Sequence, residues 1–364
     1  MPYAHLEPIR RRWRERFVWV NATVAMLACS SEAPTLHAED WPDANQLFVR
    51  DAQWIGGDGA YSVDLGLGRV LWLFGDSFIA TSPARVRAQS RMVRNSAAIQ
   101  YGYDPTRSFI QFYWRSLDGA PASFVPEQGS DWFWPGHGVR LDDRLVLFYG
   151  RVYQRSEGMW GFAAGAWTAF VIDNPDAEPI DWHMWEASVA SEGSSVQLGD
   201  AVLRVDDQLY VYGPEGDSHD IYLTRFDVGK AHAGDFTAPS WWTGSGWGSA
   251  AERAAVIAPG APEFSVHYAA QLGKFVLTQT EGFGASTLAI RTAISPEGPF
   301  SEPRDIIRPP ESFGPDPFVY AGKAHPELQG ADWAATYVPS SFEGTPADVS
   351  ESLYYPRFVK VSYR

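Results

Sequence analysis

The chain has 364 residues, 45% hydrophobic and 20% charged, the balance of a globular protein with ample length for a large core. Its formal net charge is −15, a surface that repels phosphate backbones and argues against nucleic acid as a partner. Aromatic residues reach 15%, with 16 Trp, beside 33 Gly and 26 Pro. That mixture suits short strands with tight connections and argues against a helical bundle.

The N-terminus reads as an address. Arg10, Arg11, Arg12, Arg14 and Arg16 precede an apolar run from Phe17 to Ala28. About a dozen apolar residues suit a signal-peptide core and are short for a membrane span. The run ends Met26-Leu27-Ala28-Cys29, small residues before a Cys, as at a bacterial lipoprotein cleavage site. Cys29 is the only cysteine, so no intrachain disulfide forms. Residues 1–28 are therefore expected to be a lipoprotein-type leader on an exported protein of the cell envelope. A lipid on Cys29 would be its one membrane contact. An ordinary secretory signal with Cys29 incidental is the alternative. Residues 29–46 read as a tether and 47–364 as the folded domain, expected to be a monomer.

Beyond residue 50 one hairpin design recurs five times: an alternating strand, a short polar or Gly turn, then a strand of strong β-formers. The copies run from Ala60 to Phe74, Gly138 to Phe148, Ala201 to Tyr212, Val266 to Thr278 and Lys323 to Tyr337. Their turns centre near residues 67, 143, 207, 273 and 330, in steps of 76, 64, 66 and 57. A period of roughly sixty residues fits a four-stranded propeller blade with long loops. Outer strands fall between, at Ser96 to Tyr101, Phe109 to Trp114, Trp167 to Ile172, Ile221 to Phe226 and Thr287 to Ala293. The last strand, Arg357 to Tyr363, is expected to close the ring by joining the first blade. The fold class is all-β, a five-bladed β-propeller. Two stacked sandwiches are the alternative, although they would not need the same hairpin five times.

Hairpin symmetry brings acids together. Asp58 and Asp76 each lie nine positions from residue 67, so they should face each other at one end of the first hairpin. Glu263 and Glu281 lie 10 and 8 positions from residue 273. Glu215 follows the second strand of the third hairpin, Arg151 holds the corresponding place in the second, and His137 precedes the first strand there. Lys323 opens the fifth. All these ends should share one face of the ring. Converging acids at an aromatic-rimmed mouth are what glycoside hydrolysis needs: one protonates the leaving oxygen, the other attacks or activates water. A solvated loop end or a turn cap is the plainer reading of any one acid. No phosphate loop, Gly-x-Ser-x-Gly elbow or paired-His motif is present, and neither a cofactor nor a metal is called for. His325 could line the axis, or be a buried ring satisfied by backbone.

Asp58-Gly59-Ala60-Tyr61-Ser62, Leu71-Trp72-Leu73-Phe74-Gly75-Asp76-Ser77-Phe78, Met92-Val93-Arg94-Asn95-Ser96 and Tyr320-Ala321-Gly322-Lys323-Ala324-His325-Pro326 together resemble a bacterial propeller family. That family was formerly a domain of unknown function and includes endo-D-arabinanases, which cut the D-arabinan of mycobacterial cell walls. The resemblance covers most of residues 50–364. It implies a five-bladed propeller acting on an arabinan-type furanoside polysaccharide, or, in another branch of the family, on a different furanoside or a pyranoside, with two catalytic aspartates that fall by position on Asp58 and Asp76. In that expectation Asp58 is the base or nucleophile and Asp76 the acid, with Asn95, His137, Arg151, Glu215, Glu263, Glu281, Lys323 and His325 on the substrate. A non-catalytic glycan-binding propeller and a structural scaffold are the competing readings.

Overall fold

The structure, a computed structural model, describes residues 35–156, 161–191, 195–282, 286–314, 318–342, 350 and 352–364. The expected leader and Cys29 lie outside the described residues.

Five antiparallel sheets follow one another along the chain, each built on one of the repeated hairpins. Sheet one contains Tyr61–Gly66, Arg69–Phe74, Ser96–Tyr101 and Phe109–Tyr113 in that order. Sheet two contains Trp132–Leu141, Arg144–Gln154, Phe162–Ile172 and Met184–Glu186. Sheet three runs Ala201–Val205, Gln208–Glu215, Asp220–Asp227, Ser240–Trp242, Trp247–Gly248, and sheet four Phe264–Ala269, Lys274–Glu281, Thr287–Ala293, Arg304–Ile307. Sheet five contains Phe318–His325, Trp333–Ser340 and Arg357–Tyr363, with Leu36–Asp40 as its outer strand.

Strand alternation explains the packing. In Arg69–Phe74, Val70, Trp72 and Phe74 enter an apolar cluster with Ala334 and Phe358 of sheet five. The intervening Leu71 and Leu73 enter another with Phe133, Leu147 and Phe170 of sheet two. Val146 and Phe148 meet Leu209 and Val211 between sheets two and three. Tyr210 and Tyr212 then meet Phe264 and Leu277 of sheet four, and Val276 and Ile290 meet Trp333 and Tyr337 of sheet five. A second strand buried on both faces must be apolar at every position, as in Val70-Leu-Trp-Leu-Phe74. The first strands line a cavity of about 300 Å³ that takes residues from all five sheets.

Two expectations need correction. Arg357–Tyr363 pairs with Trp333–Ser340 and not with sheet one. Its free edge is covered by Leu36–Asp40, with Leu36 opposite Tyr363 and Asp40 opposite Val359. An uncovered edge would expose a row of unpaired backbone groups. The segment read as a tether therefore joins the folded body from Leu36 onward. It continues into a helix, Pro42–Val49, with Pro at its first turn and Ala44, Leu47 and Phe48 buried. Phe48 lies 5.0 Å from Trp72 and 5.5 Å from Phe74, edge to face, and stacks on Phe358 at 5.1 Å. The polar composition before it concealed a short amphipathic helix whose apolar residues sit one turn apart.

Phe48→Ala should lower the unfolding free energy in urea by about 3–5 kcal/mol, the cost of an unfilled aromatic site in a core. A loss under 1 kcal/mol would mean that the helix frays without consequence.

Candidate active site

The ladder of the first hairpin ends at Tyr61 opposite Leu73. A second, small sheet of Trp54–Gly57, Ser77–Ile79 and Arg91–Val93 begins with Gly57 opposite Ser77. Both pairings keep the same register, so Asp58 and Asp76 face each other in the gap between them. Gly75 allows the approach. Its amide donates to the Asp58 carbonyl at 3.0 Å, and a Cβ there would stand 2.5 Å from Asp58 Oδ1. The turn Asp58-Gly59-Ala60 is tight, with φ of 81° at Gly59 and 56° at Ala60. Left-handed backbone at an alanine is strained and needs support from its surroundings.

Each carboxylate has its own aromatic partner. The hydroxyls of Tyr320 and Tyr354 donate to Asp58 Oδ2 at 2.8 and 2.9 Å. Trp134 Nε1 donates to Asp76 Oδ1 at 3.0 Å, and Arg94 Nη1 to Oδ2 at 3.3 Å. The Arg94 guanidinium lies 4.2 Å from the Trp132 ring centre. Burial, then repulsion by Asp76 and Glu263, pushes Asp58 up to about 7 against the two tyrosine bonds. Burial also raises Asp76, opposed by Arg94 and Trp134 and assisted by Glu127. Asp76 has a cation and an indole to favour its charge, whereas Asp58 has only phenols, so the surroundings favour the proton more strongly at Asp58. The sequence expectation made Asp58 the base or nucleophile and Asp76 the acid.

Beside the pair, the ammonium of Lys323, 1% exposed, contacts Glu263 Oε2 at 2.5 Å. It also donates to the Gly59 carbonyl at 2.8 Å and lies 4.2 Å over the Tyr61 ring. Tyr61 in turn donates to Asp200 Oδ1 at 2.7 Å. Burial raises Asp200 to about 8, with Glu263 adding to it. Asp58, Asp76, Glu263 and Asp200 thus form a connected acidic group.

Two inner strands carry a bulge that aims these partners. In sheet five the register slips by one residue between Tyr320 and Lys323. Residues three apart normally face opposite sides of a strand; the extra residue turns both toward the same mouth. Gly322 is required there, because its Cβ would lie 2.8 Å from the Thr280 amide nitrogen. Sheet two repeats the device between Pro135 and Gly138, so Trp134 reaches Asp76 while His137 turns inward.

The remaining expected site residues divide. Glu263 and Lys323 join the site. Asn95 does not: it is fully buried, and its amide bonds the Val125 and Phe133 carbonyls and the Val125 amide. His137 ties three sheets together. Its Nδ1 accepts from the Val202 amide at 3.1 Å, so Nε2 carries the hydrogen and donates to the Ser62 carbonyl at 2.9 Å. Burial lowers it to about 4, leaving a neutral ring. His325 is buried between the Ser62 and Thr336 hydroxyls at 2.6 and 2.8 Å. Glu215 pairs with Arg253 at 2.5 Å; despite the cost of burial, Ser195 and Arg253 hold it below its usual range. Glu281 pairs with Arg291 at 3.2 Å, and Arg151 bonds Gln128 beside Asp131. These three have local partners and form no described bond to the aspartate pair.

Sequence reasoning missed Arg94, Trp134, Asp200, Tyr320 and Tyr354 as site residues. A shared pattern could have found two of them: Trp134-Pro-Gly-His137 and Tyr320-Ala-Gly-Lys323 both place Gly between an aromatic and a base. Asp200 stands just before the third inner strand. Tyr354 has no local signal, since it reaches Asp58 from nearly 300 positions away. Among the described residues no cluster of three or more His, Cys, Asp or Glu side chains is arranged to hold a metal ion.

The scaffold is mostly β, a run of hairpin sheets whose opposed aspartates lie beside Lys323, and Lys323 lines the cavity that takes residues from all five sheets. The chain belongs to a family described as Domain of unknown function (DUF5005), whose model matches residues 42–362. Its structure resembles that of a candidate hydrolase from Bacteroides ovatus ATCC 8483, at 17% identity over 92% of both chains and a TM-score of 0.67. It also resembles a xylan β-1,4-xylosidase from Bacillus halodurans C-125, at 12% identity and a TM-score of 0.50, over 86% of this chain and 54% of that one. At such identities the likeness is one of fold. No curated protein matches the sequence.

The Asp58 carboxyl also sets a pH dependence of stability. Its folded pKa of about 7 exceeds the ordinary 3.8, so the native state holds a proton that the unfolded chain releases. Its contribution is therefore fully present below about pH 4 and is lost as pH rises toward 7. Asp58→Asn should gain stability relative to the wild type across that window, with a constant difference above it. Urea unfolding at several pH values would show this; a difference independent of pH would refute the raised pKa.

Proposed function

We propose that the protein is a glycoside hydrolase on a five-bladed β-propeller, cutting within an arabinan-type furanoside polysaccharide. The observation that carries the proposal is the opposed pair Asp58 and Asp76 in the gap between two ladders, each hydrogen-bonded to a different aromatic flank. Five hairpin sheets around one cavity support the blade count. The xylosidase of similar fold adds weight to a glycosidic substrate. The arabinan substrate is proposed from the resemblance of the residue 58–62, 71–78, 92–96 and 320–326 motifs to a family that includes endo-D-arabinanases.

In this mechanism Asp58 carries the proton and gives it to the leaving glycosidic oxygen as the bond to the anomeric carbon breaks. Asp76, kept as a carboxylate by Arg94 and Trp134, attacks that carbon or takes a proton from water. Trp134 and Phe162, 4.7 Å apart, stand on Asp76's side. Tyr320 and Phe318, stacked at 4.8 Å, stand on Asp58's side. Aromatic surface on both sides of the reacting pair suits sugars on both sides of the cut bond, as an endo-acting enzyme requires. An exported, envelope-tethered location belongs to the same proposal and rests on residues 1–29 alone.

The test is incubation with D-arabinan and a panel of plant and bacterial polysaccharides, with oligosaccharides read by mass spectrometry. Short arabino-oligosaccharides are expected, and Asp58→Asn or Asp76→Asn should lower kcat by about a thousandfold while largely sparing affinity. Products from another polymer would discard arabinan alone. Sugar binding without any product would make this a glycan-binding propeller, and full activity in either variant would remove that aspartate from the mechanism.

A further inference from the structure

Arg87 is a buried cation that forms no described bond to either aspartate. It opens a short 3-10 turn between the second and third strands of the small sheet, and it is 1% exposed. Its Nε donates to the Ile55 carbonyl at 2.8 Å, within the first strand of that sheet, Trp54–Gly57. Its Nη1 and Nη2 donate to the carbonyls of Ser350 and Leu353 at 3.2 and 2.6 Å. The guanidinium also lies 5.1 Å from the Tyr355 ring centre and 6.0 Å from those of Phe78 and Tyr354. One planar group therefore binds the backbone before Asp58 to the backbone before Tyr354.

Tyr354 is held in an unusual state. Its φ is 59°, left-handed for a bulky residue. Its amide donates to the Pro339 carbonyl at 2.8 Å and its carbonyl accepts from the Gly57 amide at 3.0 Å. A Cβ at Gly56 would lie 2.7 Å from that carbonyl and 2.9 Å from Arg87 Nη2. The outcome of this clamping is the bond from the Tyr354 hydroxyl to Asp58 Oδ2 at 2.9 Å. Strained backbone persists only where its surroundings over-determine it, and Arg87 supplies much of that determination.

We propose that Arg87 is a positioning residue for the reaction: by pinning the Ser350 and Leu353 carbonyls against Ile55 it holds the Tyr354 hydroxyl on Asp58. This deepens the proposed function, since it rests on Asp58 being the acid. The groups that act on Asp58 are Asp76 and Glu263, which favour its proton, and Tyr320 and Tyr354, which favour its charge. Lys323 bonds the adjacent Gly59 carbonyl and Arg94 bonds Asp76. Releasing Tyr354 takes one charge-favouring donor away, so Asp58 should hold its proton to higher pH.

The experiment titrates Asp58 directly. The protein is labelled with carboxyl-13C aspartate, and the Asp58 resonance is assigned by its loss in Asp58→Asn. Tyr354→Phe, which removes a single oxygen, should raise the Asp58 midpoint by about one pH unit. Arg87→Gln is the informative partner. The Gln amide nitrogen falls where Nε was and keeps the Ile55 bond, while both bonds to the 350 and 353 carbonyls disappear. Its midpoint should rise in the same direction, and the double variant should rise no further than Tyr354→Phe alone. An Asp58 midpoint unchanged in Arg87→Gln, whatever the melting temperature does, would make Arg87 merely structural and overturn the proposal. Full addition of the two shifts would overturn it too. Should Arg87→Gln fail to fold, Arg87→Lys and Tyr354→Phe still decide: an Asp58 unmoved in Tyr354→Phe leaves Arg87 nothing to act through. No substrate enters this titration, so a protein that cleaves no polysaccharide tests it equally well. If both readings hold, the alkaline limb of kcat moves up with the midpoint while KM stays.

Discussion

A lysine ammonium sealed from solvent must meet oxygen with each of its donors, and Lys323 does so. Its three partners are the Gly59 carbonyl, the Ala321 carbonyl and the Glu263 carboxylate. They come from sheet five itself, from the turn that carries Asp58, and from the approach to sheet four. Losing Glu263 would strand a buried charge, which costs far more than an ordinary hydrogen bond contributes, and losing either carbonyl would leave a buried donor unpaired. The turn at Asp58-Gly59-Ala60 is therefore fixed from outside its own sheet. The acids around it gain a compensating cation without a direct salt bridge to either aspartate.

The arrangement on the two sides of sheet one is nearly symmetrical. Sheets two and five each spend one extra residue in the first strand, and each gains an aromatic that reaches a carboxylate and a nitrogen base that reaches the interior. The inward bases do different work. His137 is neutral and joins sheets one, two and three through its two ring nitrogens, whereas Lys323 is charged and joins sheets five, one and four. Bulges in an otherwise regular ladder thus set the chemistry of the mouth and the cohesion of the inner strands together. Neither can be altered alone.

Much of the fold was legible because second strands such as Val70-Leu-Trp-Leu-Phe74 and Leu145-Val-Leu-Phe148 are apolar on both faces and punctuated by polar turns. Asp58 and Asp76 were legible because hairpin register is arithmetic, and it survives across the gap between two ladders. Register says nothing about distant segments, however. Tyr354 and Arg87 come from loops whose placement depends on carbonyl contacts, and carbonyls are the same in every residue. Asn95 was misread for a related reason: a polar residue in a motif serves the backbone as readily as a ligand, and only burial distinguishes the two. Glu215, Glu281 and Arg151 were placed by the same symmetry, but each found a charged or amide neighbour that the one-dimensional reading could not supply.

The pairing of Leu36–Asp40 with Arg357–Tyr363, closed by mutual backbone bonds of 2.8 Å between Thr35 and Arg364, has a consequence for synthesis. The earliest described strand finds its partner more than 300 positions later in the chain. Until then the Pro42–Val49 helix has no Phe358 to stack against, and the fifth sheet lacks its outer half. Sheets two to four can assemble as they emerge, while the aspartates wait. The bond from the Tyr354 hydroxyl to Asp58 likewise waits for residue 354, so the surroundings of the opposed aspartates are completed only after sheets two to four have been made.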